Sequence, residues 1–260
     1  MSRFHAALAC VLLVVPAFAQ PGAQAPAAPT PRANAPFDPT GYWVSVVTED
    51  WRFRMVTPPK GDVASVPVTA EARRVADAWD PDKDIAAGQQ CKSYGVGGII
   101  RQPGRIHITW QDDTTLKLEF DAGTQTRLLH FTGAPSGDPS LQGYSAASWD
   151  GVPPAGRGGG RGGAAPAGRG GANVQRPGSL KSITTRVAPG YLRKNGVPYG
   201  ANATITEYFD RTNEANGDSW LIVQTIIEDP QYLNGQFITS THFKREADGS
   251  KFSPTPCTAK

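Results

Sequence analysis

Beyond residue 19 the chain holds three histidines, His107, His130 and His242, each inside a stretch with strand periodicity. Three neutral imidazoles from three strands can hold zinc or another divalent ion with an open coordination position. No HxH or HExxH spacing accompanies them, so the residue types permit a metal and the spacing gives it no support. No cofactor is expected. Glu207, in the segment ITEYF, is the carboxylate best suited to share acid–base work with a histidine in a cavity. Its bland alternative is an ion pair with Arg211 or Arg193. Glu228 and Asp229, at the end of an apolar strand, are weaker candidates. His107, His130, His242 and Glu207 would then be the acid–base set of a lyase, isomerase or hydrolase. Nucleophilic catalysis lacks footing, since the chain has no GxSxG elbow. Gly95-Val96-Gly97-Gly98 precedes no helix pattern, which excludes P-loop and dinucleotide chemistry.

A second set of residues suits ligand binding. Threonines recur along the strands, and in a closed barrel one face of every strand lines a lumen. Thr109, Thr126, Tyr208 and Trp43 are the candidates for contact with a partly apolar ligand. The segment RIHITWQ places Ile106, Ile108 and Trp110 on one face and Arg105, His107 and Thr109 on the other. With a helix over the barrel's outside, the apolar face packs outward and His107 points inward. The expectation is a cavity holding His107 near Glu207.

These residues require a β framework. Strand patterns cover 41–48, 51–57, 105–111, 116–121, 125–131, 143–149, 180–187, 203–209, 220–228 and 236–244, separated by turn residues. Ala122-Gly123-Thr124 joins one hairpin, and 143–149 and 180–187 form another around a long insert. One helix is convincing: Thr69 caps a run in which Ala72, Val75, Ala76 and Trp79 share a face, and Asp80-Pro81 ends it. The expected fold class is all-β, an antiparallel barrel or sandwich, lipocalin-like, with one short helix.

Of 260 residues, 29 are Gly and 23 Pro, which excludes a helical bundle or coiled coil. Residues 1–19 (MSRFHAALACVLLVVPAFA) have a basic start, an apolar run and a small-x-small end, the order of a secretory signal peptide. The mature chain is expected to begin near Gln20, in the periplasm or outside the cell, and no segment reads as a transmembrane span. Residues 20–36 read as a Pro/Ala-rich spacer, and 37–260 as a single β-domain interrupted by residues 151–178. That insert holds 11 Gly, 4 Pro and 4 Arg with no acid, so it reads as a disordered surface loop. It explains the formal charge of +3: without these arginines, Arg3 and Arg32, 20 basic residues face 23 acidic ones. Such tracts also occur in RNA-binding proteins, but export removes that partner, and no nucleic acid is expected. The two cysteines left in the mature chain, Cys91 and Cys257, are expected to form a disulfide that ties the tail to the body.

The second half is similar to a group of exported bacterial β-rich proteins with the order WDG, TT, LRxNGVPYS, TExF, DP. Here these are Trp149-Asp150-Gly151, Thr184-Thr185, Leu192–Tyr199, Thr206–Phe209 and Asp229-Pro230. The resemblance implies an exported β-rich fold and assigns no catalytic residue. Three functions compete: an exported small-molecule-binding barrel; a periplasmic lyase, isomerase or hydrolase working in a barrel cavity; and a cell-envelope interaction protein acting through its Gly/Arg loop and Pro/Ala tail. Nothing in the sequence speaks to oligomeric state.

Overall fold

The computed structural model describes residues 28–151 and 178–259; residues 1–19, the first part of the spacer (20–27) and nearly all of the Gly/Arg insert lie outside these. Nine strands close into a barrel: β1 (Gly41–Val46), β2 (Arg105–Asp112), β3 (Thr115–Phe120), β4 (Gln125–His130), β5 (Tyr144–Asp150), β6 (Ser179–Thr185), β9 (Thr204–Asn213), β10 (Ser219–Glu228) and β11 (Phe237–Glu246). Their order around the barrel is β1-β11-β10-β9-β6-β5-β4-β3-β2, closing on β1. Every pairing is antiparallel except the short β4–β5 seam at Leu129–Ser145 and His130–Ala146. Closure removes free sheet edges. The two-residue strands β7 (Gly190–Tyr191) and β8 (Pro198–Tyr199) pair outside the barrel.

The β3–β4 hairpin turns through Gly123 and Thr124, both at positive φ. Strands β5 and β6 pair around the insert as expected. Helix α2 (Ala70–Ala78) starts where Thr69 accepts a hydrogen bond from the Ala72 amide. Asp80-Pro81 ends α2 and also begins α3 (Pro81–Ala86): Asp80 caps its N-terminus, and proline at the first helical position sacrifices no hydrogen bond. The segment 51–57 is not a strand. Its first residues form the one-turn helix α1 (Trp51–Arg54), entered through Asp50 in the left-handed region at φ 50°. Four alternating residues fit a helical turn as well as a short strand, and period alone cannot separate them.

The barrel is filled rather than hollow at its centre. Alternate side chains of each strand point inward, and Trp43, Ile106, Ile108, Leu116, Leu118, Leu129, Phe209, Leu221 and Phe243 are buried there. Phe37, Trp110, Phe131 and Trp149 plug one end with edge and tilted ring contacts. Residues 28–36 are less free than a spacer: Pro31 accepts a hydrogen bond from the Trp149 indole, and Arg32 pairs with Asp113.

At the opposite end the strand termini Ile205, Ile227 and Phe237 carry a second core with Val96, Val187, Leu192, Val197 and Tyr199. This lid depends on close backbone approach. A Cβ on Gly97 would lie 2.7 Å from the Tyr199 ring, and one on Gly196, itself at φ 81°, would lie 2.2 Å from Trp79. The segment Leu192–Gly200, the most distinctive part of the motif order above, is thus lid core. A Cys91–Cys257 disulfide joins the lid to the C-terminal tail. The tail then follows the β3–β4 turn, where Thr255 donates to the Asp121 carbonyl.

Candidate functional site

Two groups of buried polar side chains stand out, one inside the barrel and one at its lidded end. The inner group forms because the register aligns polar inward positions: Ser182 faces Glu207, Glu207 faces Thr225, and Thr225 faces Thr239. Across the barrel, Arg127 on β4 reaches this row. Its guanidinium pairs with Glu207 and donates to Ser145 (3.0 Å), Ser182 (3.2 Å) and Thr184 (2.8 Å). Glu207 is 0% exposed and Arg127 1%, so no solvent reaches either group. One oxygen of Glu207, one nitrogen of Arg127 and the hydroxyls of Thr225, Thr239 and Thr241 have no protein partner. Glu207 therefore pairs with neither Arg211 nor Arg193, the partners its sequence neighbourhood suggested.

The histidines are elsewhere. Ile106 and Ile108 enter the barrel core, so His107 sits on the outer wall, half-buried, stacked on Tyr42 at 4.0 Å and 3.3 Å from Glu119. The inward placement expected for it is overturned. In a barrel whose lumen is filled, the apolar face of a strand turns in, and α2 packs on β8 at the lid rather than on the barrel wall. His130 stacks on Tyr144 outside the barrel, and His242 contacts Thr48, Ser240 and Glu49. None of the three lies beside Glu207, so an acid–base set of histidine and Glu207 is not assembled. Among the described residues no three His, Cys, Asp or Glu side chains converge as metal ligands.

The expected ligand-binding residues also disperse. Thr109 and Tyr208 line the outer wall with Thr126, while Trp43 is wholly buried and donates from its indole to the Pro39 carbonyl. Glu228 is exposed, and Asp229 caps the Gly200 and Gln231 amides at a turn.

The second group gathers at the lid. Helix α1, the 3₁₀ turn Ile99–Arg101 and the loop after β7 converge on a narrow cleft of about 20 Å³ lined by Arg54, Arg101 and Arg193. Arg54 donates to the Arg101 carbonyl (3.0 Å) and Ser45 hydroxyl (3.0 Å) and pairs with Glu49. Arg101, 4% exposed, pairs with Asp50 at 2.8 Å and keeps one terminal nitrogen unpartnered. Arg193, 3% exposed, donates once to the Ala64 carbonyl and lies over the Phe53 ring at 3.9 Å. Its Nε and second terminal nitrogen have no partner, and among the described residues no carboxylate lies within ion-pair reach. Burial, then the like charge of Arg101, lowers its pKa to about 10. Burial lowers that of Arg54 too, with Glu49 opposing.

Sequence reasoning missed this site because its arginines are 47 and 92 residues apart and no motif joins them. The one signal was the basic, aromatic run WRFRM, read as a strand. Below the cleft, Lys194 binds the Thr258 hydroxyl and lies over the Tyr94 ring. Burial opposes ionisation of Tyr94, but hydrogen bonds with Thr258 and Lys194 outweigh it and hold its hydroxyl below the usual phenol range.

The fold and site define a closed nine-stranded β-barrel with a lidded, arginine-lined end. Comparison with known proteins finds no matching family model, no matching curated protein and no matching solved structure.

Proposed function

We propose that this protein is an exported binding barrel that takes a small anionic molecule at the arginine cleft. In this reading it uses its barrel as lipocalins do, as a rigid holder for a ligand site at one end. The observation that carries it is Arg193: a deeply buried guanidinium with two unpartnered nitrogens, a like-charged neighbour and no carboxylate in ion-pair reach, since the nearby Asp50 and Asp62 pair with Arg101 and Arg52. A buried cation without a directly paired counter-charge is costly. An anionic ligand would offset that cost, and the forked guanidinium geometry suits a carboxylate or phosphate. Export rests on residues 1–19 and on the resemblance to exported bacterial proteins. The Gly/Arg segment lies outside the described residues and plays no part in the proposal.

Calorimetric titration of the mature protein with small carboxylates and phosphates tests it, together with anion-dependent melting. The expected result is saturable binding with a rise in melting temperature, lost in Arg193→Gln. An unchanged response in that variant, or none in the parent, would sink the reading.

A further inference from the structure

We infer that the ligand is an anionic amphiphile, one charged head carrying an alkyl or aryl chain, and that the chain lies in the groove continuous with the arginine cleft. This rests on the anion-binding reading above and specifies the rest of the ligand.

Arg54, Val56, Gln102 and Lys194 line both the cleft and an adjoining groove of about 430 Å³. Apolar side chains contribute much of the groove: Met55, Val56, Pro103, Ala122 and Pro256, with the Tyr94 ring at its lid side. Met55 and Val56 are 58% and 64% exposed, and Trp51 on the same turn is 66% exposed. Half of the six exposed large hydrophobics among the described residues thus fall within six residues, and two of them, Met55 and Val56, line the groove. Covering such side chains is favourable, and nothing in the fold covers them. A short inorganic anion would satisfy Arg193 and leave this surface wet. A chain attached to the anion would bury it while the head stays at the arginines, so one molecule answers both features.

The opposite wall is the C-terminal tail, Thr255, Pro256 and Thr258, held by the hydrogen bonds to Asp121 and by Cys257. Tyr94 and Thr258 close that side through their own hydrogen bond. The tail gives the groove a fixed wall, and α1 gives it an apolar rim only one turn long.

The test is a chain-length series on the full mature protein, read by calorimetry and tryptophan fluorescence below micelle-forming concentrations. Acetate, hexanoate, octanoate and decanoate are compared with decanol and with decyl phosphate. Affinity should rise roughly tenfold for each pair of methylenes covered, and decanol should bind at least ~10-fold more weakly than decanoate. The carboxylate and phosphate arms decide which head is preferred. Met55→Ser, at an exposed position that lines the groove but not the arginine cleft, should flatten the chain-length dependence while acetate still binds through Arg193. If small anions bind through Arg193 but affinity is flat with chain length, the amphiphile inference fails and the anion reading stands. If no anion binds through Arg193, both fail. Binding only to anionic phospholipid vesicles, with no one-to-one binding of free amphiphile, would also overturn it.

Discussion

Arginine is buried at two places in this molecule, and its surroundings differ. Inside the barrel Arg127 meets Glu207 and three hydroxyls, aligned by the register of β4, β5, β6 and β9. At the lid, Arg193 meets a carbonyl, an aromatic face and another arginine. The first arrangement pairs its two charges with each other, and neither side chain is exposed, although one oxygen of Glu207 and one nitrogen of Arg127 have no protein partner. It belongs to architecture, a polar belt that only one strand register can complete. The second is open in charge and opens onto a groove. The contrast teaches that burial of a charged group does not by itself mark a functional site. What separates the two is whether the fold supplies the counter-charge.

The comparison breaks most sharply at Glu207. Glu207→Ala leaves Arg127 buried without its carboxylate and should cost ~3–5 kcal/mol, measured by urea unfolding. Replacing both partners together, Arg127→Met with Glu207→Leu, should recover most of that loss, since an apolar pair of similar volume needs no counter-charge. If the double variant is as unstable as the single one, the belt is more than a compensated pair.

The disulfide comes next. Cys257→Ser releases a tail whose bond spans 166 residues of sequence, and the chain-entropy model allows up to ~5 kcal/mol, commonly less. Because the tail walls the groove, ligand affinity should fall as well, with the far-ultraviolet circular dichroism of the barrel unchanged. Equal affinity with and without dithiothreitol would remove the tail from the site.

Arg193 should behave oppositely to Glu207. Arg193→Gln should abolish anion binding while moving unfolding free energy by less than ~1 kcal/mol, because losing an uncompensated charge offsets the lost packing on Phe53. The sign follows from its folded-state pKa of about 10, lower than the ordinary arginine value. At neutral pH the residue is charged in both folded and unfolded states, and the folded state bears the cost. Stability from this group is gained only as pH rises through that interval. Arg52, Arg101, Asp50 and Asp62 surround it, and of these only the arginines disfavour its charge. Affinity for an anion should decline as pH passes about 10, checked by titration in alkaline buffers.

The smallest effect belongs to His107. On the outer wall, His107→Ala should change stability by under ~1 kcal/mol and leave binding unaltered. A loss of binding there would restore the inward reading that the register of β1 and β2 rejects.

Much of the framework was legible in the residues. Period-two alternation located the barrel strands apart from segment 51–57, Gly123-Thr124 located a hairpin, Thr69 located the start of α2, and two remaining cysteines located the disulfide. These follow from local backbone preference and residue chemistry, which a short window of sequence contains. Glu207 was also recognisable as a carboxylate within a strand, though its partner was not. The side of a strand that faces inward depends on what fills the lumen, and for β2 that reversed the place of His107. The pairing of Arg127 with Glu207 depends on closure through β4, β5, β6 and β9, across 80 residues of chain. Arg54, Arg101 and Arg193 come from a one-turn helix, a 3₁₀ turn and a loop that share no local pattern. Local sequence carried the strands, the helix cap and the cysteine pair because each involves neighbouring residues or a single covalent option. Only the tertiary structure decided which buried charges meet an ion-pair partner and which do not, because electrostatic compensation depends on distance in space.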